Sequence, residues 1–397
     1  MSLHIQIIPK TLHFRQPAGT SRGVYTLRKV WYLLLTDEKD PGRQGIGECA
    51  PLPALSCDDR PDYEEILRKI CNDTAKRGKP DFDSLRPYPS LLFGLETAFR
   101  HWETGRLALW DTPFSRGEAG IPINGLIWMG DYRKMLDQIE TKMKSGFRCI
   151  KLKIGALRFE EEINLLRHIR KHFSAREIEL RVDANGAFSP SEAMDKLHRL
   201  AEFDLHSIEQ PIRAGQWEEM ARLTAETPLP IALDEELIGW NTEPEKKKLL
   251  AAIRPHYLVL KPSLHGGLSG CAEWISLYGQ CLPDTPVAPL PGGVAPSYTT
   301  DPTDRRRIAG APTDLTTAPG FPSRPAWWIT SALESNIGLN AIAQWCATLS
   351  NPLPQGLGTG LLFTDNIDLP LSIRKDCLWY DPETTPDLVS NLLPAGK

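Results

Sequence analysis

The sequence predicts an α/β protein: a TIM-like (β/α)7–8 barrel preceded by an N-terminal α+β capping domain. Three observations predict it. Strand-like runs followed by helical patterns fill the first part of the chain, up to about residue 110. After Pro122, short apolar runs take turns with amphipathic helical segments. Charged residues then recur at the ends of those runs at a spacing of one strand–helix unit. The chain of 397 residues also exceeds the usual size of one hydrophobic core, so two domains are expected.

Alternation of apolar and polar residues marks strands around His4 to Ile8, Thr26 to Leu35 and Gly45 to Cys49. Gly- and Pro-rich connections are expected at Gln16 to Gly23 and Ala50 to Ser56. Helical periodicity follows around Tyr63 to Ala75 and Tyr88 to Thr104. Residues 1–115 are therefore read as the capping domain, 116–363 as the barrel, and 364–397 as a C-terminal segment packing back on the cap.

The barrel strands are read at Ile123 to Trp128, Cys149 to Ile154, Ile178 to Val182, His206 to Gln210, Ile231 to Leu233, Tyr257 to Leu260 and Trp327 to Leu333. An eighth is read near Gly356 to Phe363. Helices are expected between them, among others at Arg158 to Lys171, Pro190 to Glu202, Glu243 to Ile253 and Leu268 to Tyr278. A doubly wound open sheet competes with the barrel, but no GxGxxG follows any strand. Residues 282–326 do not fit: they hold ten prolines and no periodicity. They fall in a helix-to-strand connection, on the barrel face opposite an active site, and read as a mobile insertion with no part in the chemistry.

Composition excludes several classes. With 41% hydrophobic and 24% charged residues and a net charge of -4, nothing recommends nucleic acid or an anionic membrane as partner. No apolar stretch approaches the roughly 20 residues of a membrane span, and the N-terminus lacks the apolar core of a signal peptide. Eight cysteines without CxxC pairs or zinc-ligand spacing read as reduced, buried residues of a cytoplasmic protein. The sequence allows a homo-oligomer without arguing for one.

The strand ends carry the chemistry. In KLKIG, Lys151 and Lys153 lie two apart and so share one face of a strand. RVDANG supplies Asp183, IEQP Glu209, ALDEE Asp234 and VLKPS Lys261, in steps of 26, 25 and 27 residues. Taken singly, an Asp at a strand end is more often a helix cap, and a Lys after an apolar strand a solvated loop residue. Together, three carboxylates at one barrel mouth repel one another unless a cation lies between them. Oxygen-only ligands favour Mg²⁺ over zinc. Such an ion binds a small-molecule carboxylate substrate and stabilises the enediolate left when the adjacent proton departs. A lysine next to another lysine in a sheltered mouth is expected to have a lowered pKa and so to act as base.

The series KxK, DAN, EQP, DE and KPS at one-strand intervals resembles the enolase superfamily, in its muconate-lactonizing-type subgroup. Lysine bases working with Mg²⁺ are a known pattern of that superfamily. The resemblance covers nearly the whole chain except the Pro-rich insertion, and it implies a cap whose loops close over the barrel mouth. It implies Asp183, Glu209 and Asp234 as magnesium ligands and Lys153 as base and then acid. It further implies Lys261 as stabiliser of the enediolate from the opposite face, and Lys151 as a neighbour that tunes Lys153 and orients carboxylate. Arg181, Ser263 and Ser335 are candidate substrate contacts, although such residues often serve only turns and ion pairs.

The segments RVDANGAF, SIEQPI, LKPSLHGGLSG and WWITSALESNIGLNAIAQW carry the resemblance further. They imply a lyase that dehydrates 2-succinyl-6-hydroxy-2,4-cyclohexadiene-1-carboxylate to 2-succinylbenzoate in menaquinone biosynthesis. Racemisation of N-succinylamino acids uses the same lysines and ligands and is the alternative. Dipeptide epimerases carry an Asp-x-Asp on the last strand, which GLGTGLLF lacks, and mandelate-racemase-like dehydratases need a seventh-strand His, which Trp327 to Glu334 lacks. His265 reads as a structural loop residue. A catalytically idle binding protein is the remaining alternative; no ligand or lysine is missing to favour it.

Overall fold

The computed structural model describes residues 3–20, 23–281, 321–322, 324–384, 386 and 392. The chain begins with an antiparallel sheet of three strands in sequence order, β1 (Leu3–Thr20), β2 (Gly23–Asp37) and β3 (Asp40–Cys49). The loop expected from Gln16 is instead strand. Pairing of β1 with β2 shifts register between His13 and Ala18, and Pro17 falls in that irregularity, where its missing N–H breaks no ladder bond. Helices α1 (Tyr63–Arg77), the one-turn α2 (Phe82–Leu85) and α3 (Pro89–Thr104) follow. Pro89 opens α3 and Gly105, at φ 66°, ends it. The helix lies directly on β3 because two strand positions carry no side chain. A Cβ on Gly47 would stand 1.9 Å from the Gly94 carbonyl oxygen, and one on Gly45 2.3 Å from that of Ala98.

After β4 (Ile121–Pro122) the chain alternates strand and helix: β5 (Gly125–Ile127), α4 (Tyr132–Lys144), β6 (Cys149–Lys153), α5 (Phe159–His172), β7 (Glu179–Asp183) and α6 (Pro190–Ala201). Then come β8 (Ser207–Glu209), α7 (Trp217–Glu226), β9 (Ile231–Leu233), α8 (Glu243–Ile253), β10 (Tyr257–Leu260), α9 (Gly267–Cys281), β11 (Ala326–Ile329) and α10 (Asn336–Cys346). Strands β5 to β11 form one parallel sheet in chain order. Residues 355 and 356 close it into a barrel. Gln355 bridges to Ile123 beside β5, and Gly356 bridges to Thr330 at the end of β11, both in parallel register. The eighth strand is thus two residues long, where the sequence suggested a run to Phe363. Pro352 and Pro354 just before it cannot donate to a ladder, which limits its length.

The proline-rich segment leaves from α9 and returns at β11, the helix-to-strand side expected of it. Residues 282–320 and 323, which make up most of it, lie outside the described residues, as does any account of their order. Beyond α10, β12 (Leu371–Arg374) and β13 (Cys377–Tyr380) form a small antiparallel sheet with β4. The same tail touches the N-terminal sheet: Phe363 bridges to Phe14, and the His13 ring lies 2.8 Å from Asp365.

Three charged side chains, Arg28 and Glu48 fully buried and Glu96 partly so, fasten the two parts together. The Arg28 guanidinium, on β2, donates to the carbonyls of Ala50 and Pro51 in the cap and of Ala332 and Leu333 after β11. The Glu48 carboxylate accepts from the backbone of Ser335 and Gly338, both at 2.8 Å, capping α10. Glu96 on α3 does the same for α9 through Leu268 (2.6 Å) and Ser269 (3.1 Å). Arg28→Met leaves these carbonyls unpaired and strips Glu48 and Glu334 of a neighbouring cation. Urea unfolding should show a loss of about 3–5 kcal/mol; a loss below about 1 kcal/mol would contradict this reading of the joint.

Burial raises the Glu96 carboxyl from 4.5 to about 7, against the lowering effect of Ser269 and the backbone amides. A folded pKa above the unfolded one contributes stability that is complete below pH 4.5 and disappears as the pH rises through 7. The stability of the protein relative to Glu96→Gln should therefore fall by on the order of 3 kcal/mol between pH 4.5 and 8. A difference that stays level across that range would refute it.

Candidate active site

The side chains singled out at strand ends converge on one mouth of the barrel. Lys151 and Lys153 are both inward-facing on β6, with Leu152 between them in the shell. Register places Lys153 beside Asp183 on β7, and Asp183 beside Glu209 on β8. Asp234 and Lys261 follow the last residues of β9 and β10. All three carboxylates are at most 1% exposed.

The lysines link the carboxylates in one continuous chain of ion pairs from Lys153 to Asp234. Lys151 Nζ lies 2.5 Å from Glu209 Oε2 and 3.0 Å from Asp183 Oδ2. Lys153 Nζ donates to the same Asp183 oxygen at 2.9 Å and to Asn185 Oδ1 at 2.7 Å. Lys261 Nζ pairs with Asp234 Oδ2 and approaches Glu209 Oε1 at 3.9 Å. Asn185 in turn donates to Glu235 Oε1 at 2.9 Å. Three ammoniums set against three carboxylates offset much of the cost of burying them, although the buried Glu235 beside them adds a further carboxylate.

The expectation that neighbouring lysines depress one another is reversed for two of them. Burial lowers Lys151 and Lys261, but Asp183 and Glu209 around the first, and Asp234 and Glu209 around the second, outweigh it and raise both. Burial would raise Asp183, yet Lys151 and Lys153 keep it well below the carboxylate range. Glu209 goes the other way, pushed up to about 8 by burial and by the Asp183 charge beside it. The carboxylate array is short of positive charge at that point.

Do these residues fit a divalent ion? Among the described residues no three such ligands are set around one ion-sized point, because ammonium groups occupy the space between the carboxylates. The donor chemistry nevertheless suits a hard cation: every candidate atom is a carboxylate oxygen. Glu209 Oε1 and Asp234 Oδ1 are buried without a hydrogen-bond partner among the described residues, so the cluster holds unused acceptor capacity. It fits, provided Lys151 and Lys261 yield their oxygens.

The mouth opens into a cleft whose far wall is apolar: Tyr25, Leu52 and Leu55 from the cap, and Leu126, Trp128 and Leu333 from the barrel. Lys151, Lys153, Lys261, Asn185 and Glu235 form its polar end. A roomier hollow between β3, residues 105–116 and the C-terminal strands contains none of these groups.

Three other candidates are placed elsewhere. Arg181 lies one layer deeper in the barrel, bound to Glu179 at 2.7 Å and to the Pro354 carbonyl, with its guanidinium over Trp328. Ser263 donates to Glu334, and Ser335 to Glu48 at 2.5 Å while capping α10. None of the three lines the cleft. His265 is structural, as expected: its Nδ1 accepts from the Lys261 amide at 2.9 Å, which fixes the turn after β10. Asn185 and Glu235 went unmarked by sequence reasoning. Their signal was adjacency, since each stands one or two places after a ligand candidate, and Asn185 takes the left-handed turn conformation (φ 44°) natural to Asn.

Comparison with known proteins gives the chain its place. It is 41% identical to an o-succinylbenzoate synthase of Desulfotalea psychrophila over 91% of this chain and 95% of that protein. The chain belongs to the o-succinylbenzoate synthase family. Residues 134–279 match the family described as enolase C-terminal domain-like, the part that runs from within α4 to α9. The crystal structure of MenC from Desulfotalea psychrophila superposes with a TM-score of 0.72 at 36% identity, covering 96% of this chain and all of that one. The L-Ala-D/L-Glu epimerase of Bacillus subtilis reaches a TM-score of 0.70 at 16% identity over 96% and 97% of the two chains, a likeness of fold. The cap-and-barrel architecture is that of the enolase superfamily, whose members generally use Mg²⁺.

Proposed function

We propose that the protein is a magnesium-dependent lyase that dehydrates 2-succinyl-6-hydroxy-2,4-cyclohexadiene-1-carboxylate to 2-succinylbenzoate. The observation that carries the reading is the pair of lysines, Lys153 and Lys261, on opposite sides of three buried carboxylates in a chain so similar to a synthase of that name. Asp183, Glu209 and Asp234 are the residues that would hold the ion. Bound there, Mg²⁺ would neutralise the substrate carboxylate and the negative charge that gathers on it as the neighbouring proton leaves.

The chain's own groups do the rest. Lys153 Nζ, released from Asp183, takes the proton from the carbon next to the carboxylate and then returns it to the departing hydroxide, so that water leaves and the ring becomes aromatic. Lys261 faces the developing enediolate from the other side and donates to it. Lys151 keeps the Asp183 and Glu209 carboxylates aligned and lies within reach of the substrate carboxylate. The apolar wall fits the ring. Residues 1–115 would act as the cap and 116–363 as the barrel; in the described part of the tail 364–397, Asp365 reaches His13 of the cap while β12 and β13 pair with β4. Eight cysteines without a disulfide support a cytoplasmic setting.

Lysines on both faces of the cluster also suit a two-base racemase of N-succinylamino acids, which is the second reading. Incubation with Mg²⁺ and the cyclohexadiene substrate should give 2-succinylbenzoate, with both turnover and product lost on chelation. Racemisation of N-succinylamino acids without any dehydration would transfer the assignment to the second reading; inertness in both assays would remove both.

A further inference from the structure

The cleft has a second polar end that the mechanism above does not use. Asn124 Oδ1, Thr330 Oγ1 and Thr359 Oγ1 are buried side-chain atoms without a hydrogen-bond partner among the described residues, and all three residues line the cleft. The residues are 5%, 9% and 5% exposed. Leaving one such atom unpaired costs about 1–3 kcal/mol, so three together in one wall call for a common occupant.

Register brings them together. The Asn124 amide donates to the Gln355 carbonyl at 2.9 Å, and the Gly356 amide to the Ile329 carbonyl at 2.8 Å. Asn124 and Thr330 therefore flank the short closing strand, and Thr359 follows it by three residues. This is the arc of the barrel between β11 and β5, whereas the carboxylates and Lys261 occupy β7 to β10. Gly356 leaves the room: a Cβ there would stand 2.4 Å from Thr330 Oγ1.

We infer that Asn124, Thr330 and Thr359 form a second subsite, which binds the keto oxygen on the side arm of the substrate. Two hydroxyls donate to that oxygen, and Asn124, its amide turned by half a rotation, adds an N–H. The subsite takes a neutral oxygen because the cations lining the cleft, among the described residues, are the three lysines of the cluster. A carboxylate among uncharged groups would be left without a counter-charge. The inference rests on the proposed reaction for the identity of the arm.

Calorimetric binding to the Mg²⁺-loaded protein tests it with 2-succinylbenzoate and with 2-(3-carboxypropyl)benzoate, the same molecule without the ketone. The wild type should prefer the keto compound by about tenfold or more. Thr330→Val and Thr359→Val, each nearly isosteric, should each cut that preference below about threefold, and Thr330→Ser should restore it. Gly356→Ala, which keeps the hydroxyl but pushes it aside, should weaken it as well. Equal wild-type affinities, or a preference unchanged in both valine variants, would overturn the subsite. A wild type that shows no preference yet still dehydrates the substrate removes the subsite alone. A preference kept by a protein that fails to dehydrate removes the reaction and leaves a keto-acid site.

Discussion

Lys153→Ala should lower kcat for dehydration by about three to four orders of magnitude. Proton transfer by a positioned side chain contributes about 10²–10⁴-fold, and here one amine serves twice, first as base and then as acid. The same substitution should leave Mg²⁺ affinity within a few-fold of the wild type, because Lys153 is not among the residues assigned to the ion. Folding should survive too: Asp183 keeps Lys151 at 3.0 Å as a counter-ion when Lys153 is gone. Lys153→Arg gives a control, since a guanidinium holds the positive charge but does not give up its proton. It should be as inactive as the alanine variant. Steady-state kinetics beside magnesium titration reads both quantities, and turnover within tenfold of wild type in either variant would refute the role.

Asp234→Asn should reduce Mg²⁺ affinity by two orders of magnitude or more and reduce turnover with it. Substitution of mere outer-shell partners of a metal commonly costs about 10–100-fold, and Asp234 is assigned to the ion directly. In the metal-free protein the effect runs through Lys261. That ammonium is about nine-tenths buried and pairs with Asp234; its next carboxylate, on Glu209, is 3.9 Å away. Removing the close partner leaves a poorly compensated buried cation, so the metal-free variant should also unfold more easily, by about 3 kcal/mol. Calorimetric magnesium binding and urea melts check the two halves separately. Unchanged magnesium affinity would take Asp234 out of the ligand set.

The parts of the fold legible in the sequence are those in which local pattern and final environment agree. Helix α8 matches the predicted Glu243 to Ile253, since Thr242 and Glu245 form a capping box and Pro244 stands in the first turn. Strands β5 to β11 were legible as apolar runs because a barrel strand is buried on both faces. The extension of β1 past Pro17 was not, because the pairing that overrides the proline comes from β2. The closing strand at residues 355 and 356 is too short to have any periodicity.

The candidate site divides in the same way. Lys151, Lys153, Asp183, Glu209, Asp234 and Lys261 could be grouped because strand ends meet wherever a barrel closes. Arg181 obeys the same two-residue alternation as Asp183, yet it faces the floor beside Glu179 and Trp328; periodicity gives a face and not a depth. Ser263 and Ser335 looked like contacts until Glu334 and Glu48 proved to hold their hydroxyls, and those carboxylates lie 71 and 287 residues away in sequence. The cap side of the cleft, Tyr25, Leu52 and Leu55, depends on how the cap is seated, which no local pattern records.

The central claim is that these strand ends make one divalent-cation centre flanked by lysines. Crystals grown with Mn²⁺ in place of Mg²⁺ test it most directly through anomalous scattering. The account predicts one peak within about 2.0–2.4 Å of oxygens from Asp183, Glu209 and Asp234, with Lys261 displaced from Asp234 and Lys153 facing the opening. A peak elsewhere, or a saturated protein in which Lys151 and Lys261 still occupy those oxygens, would contradict it.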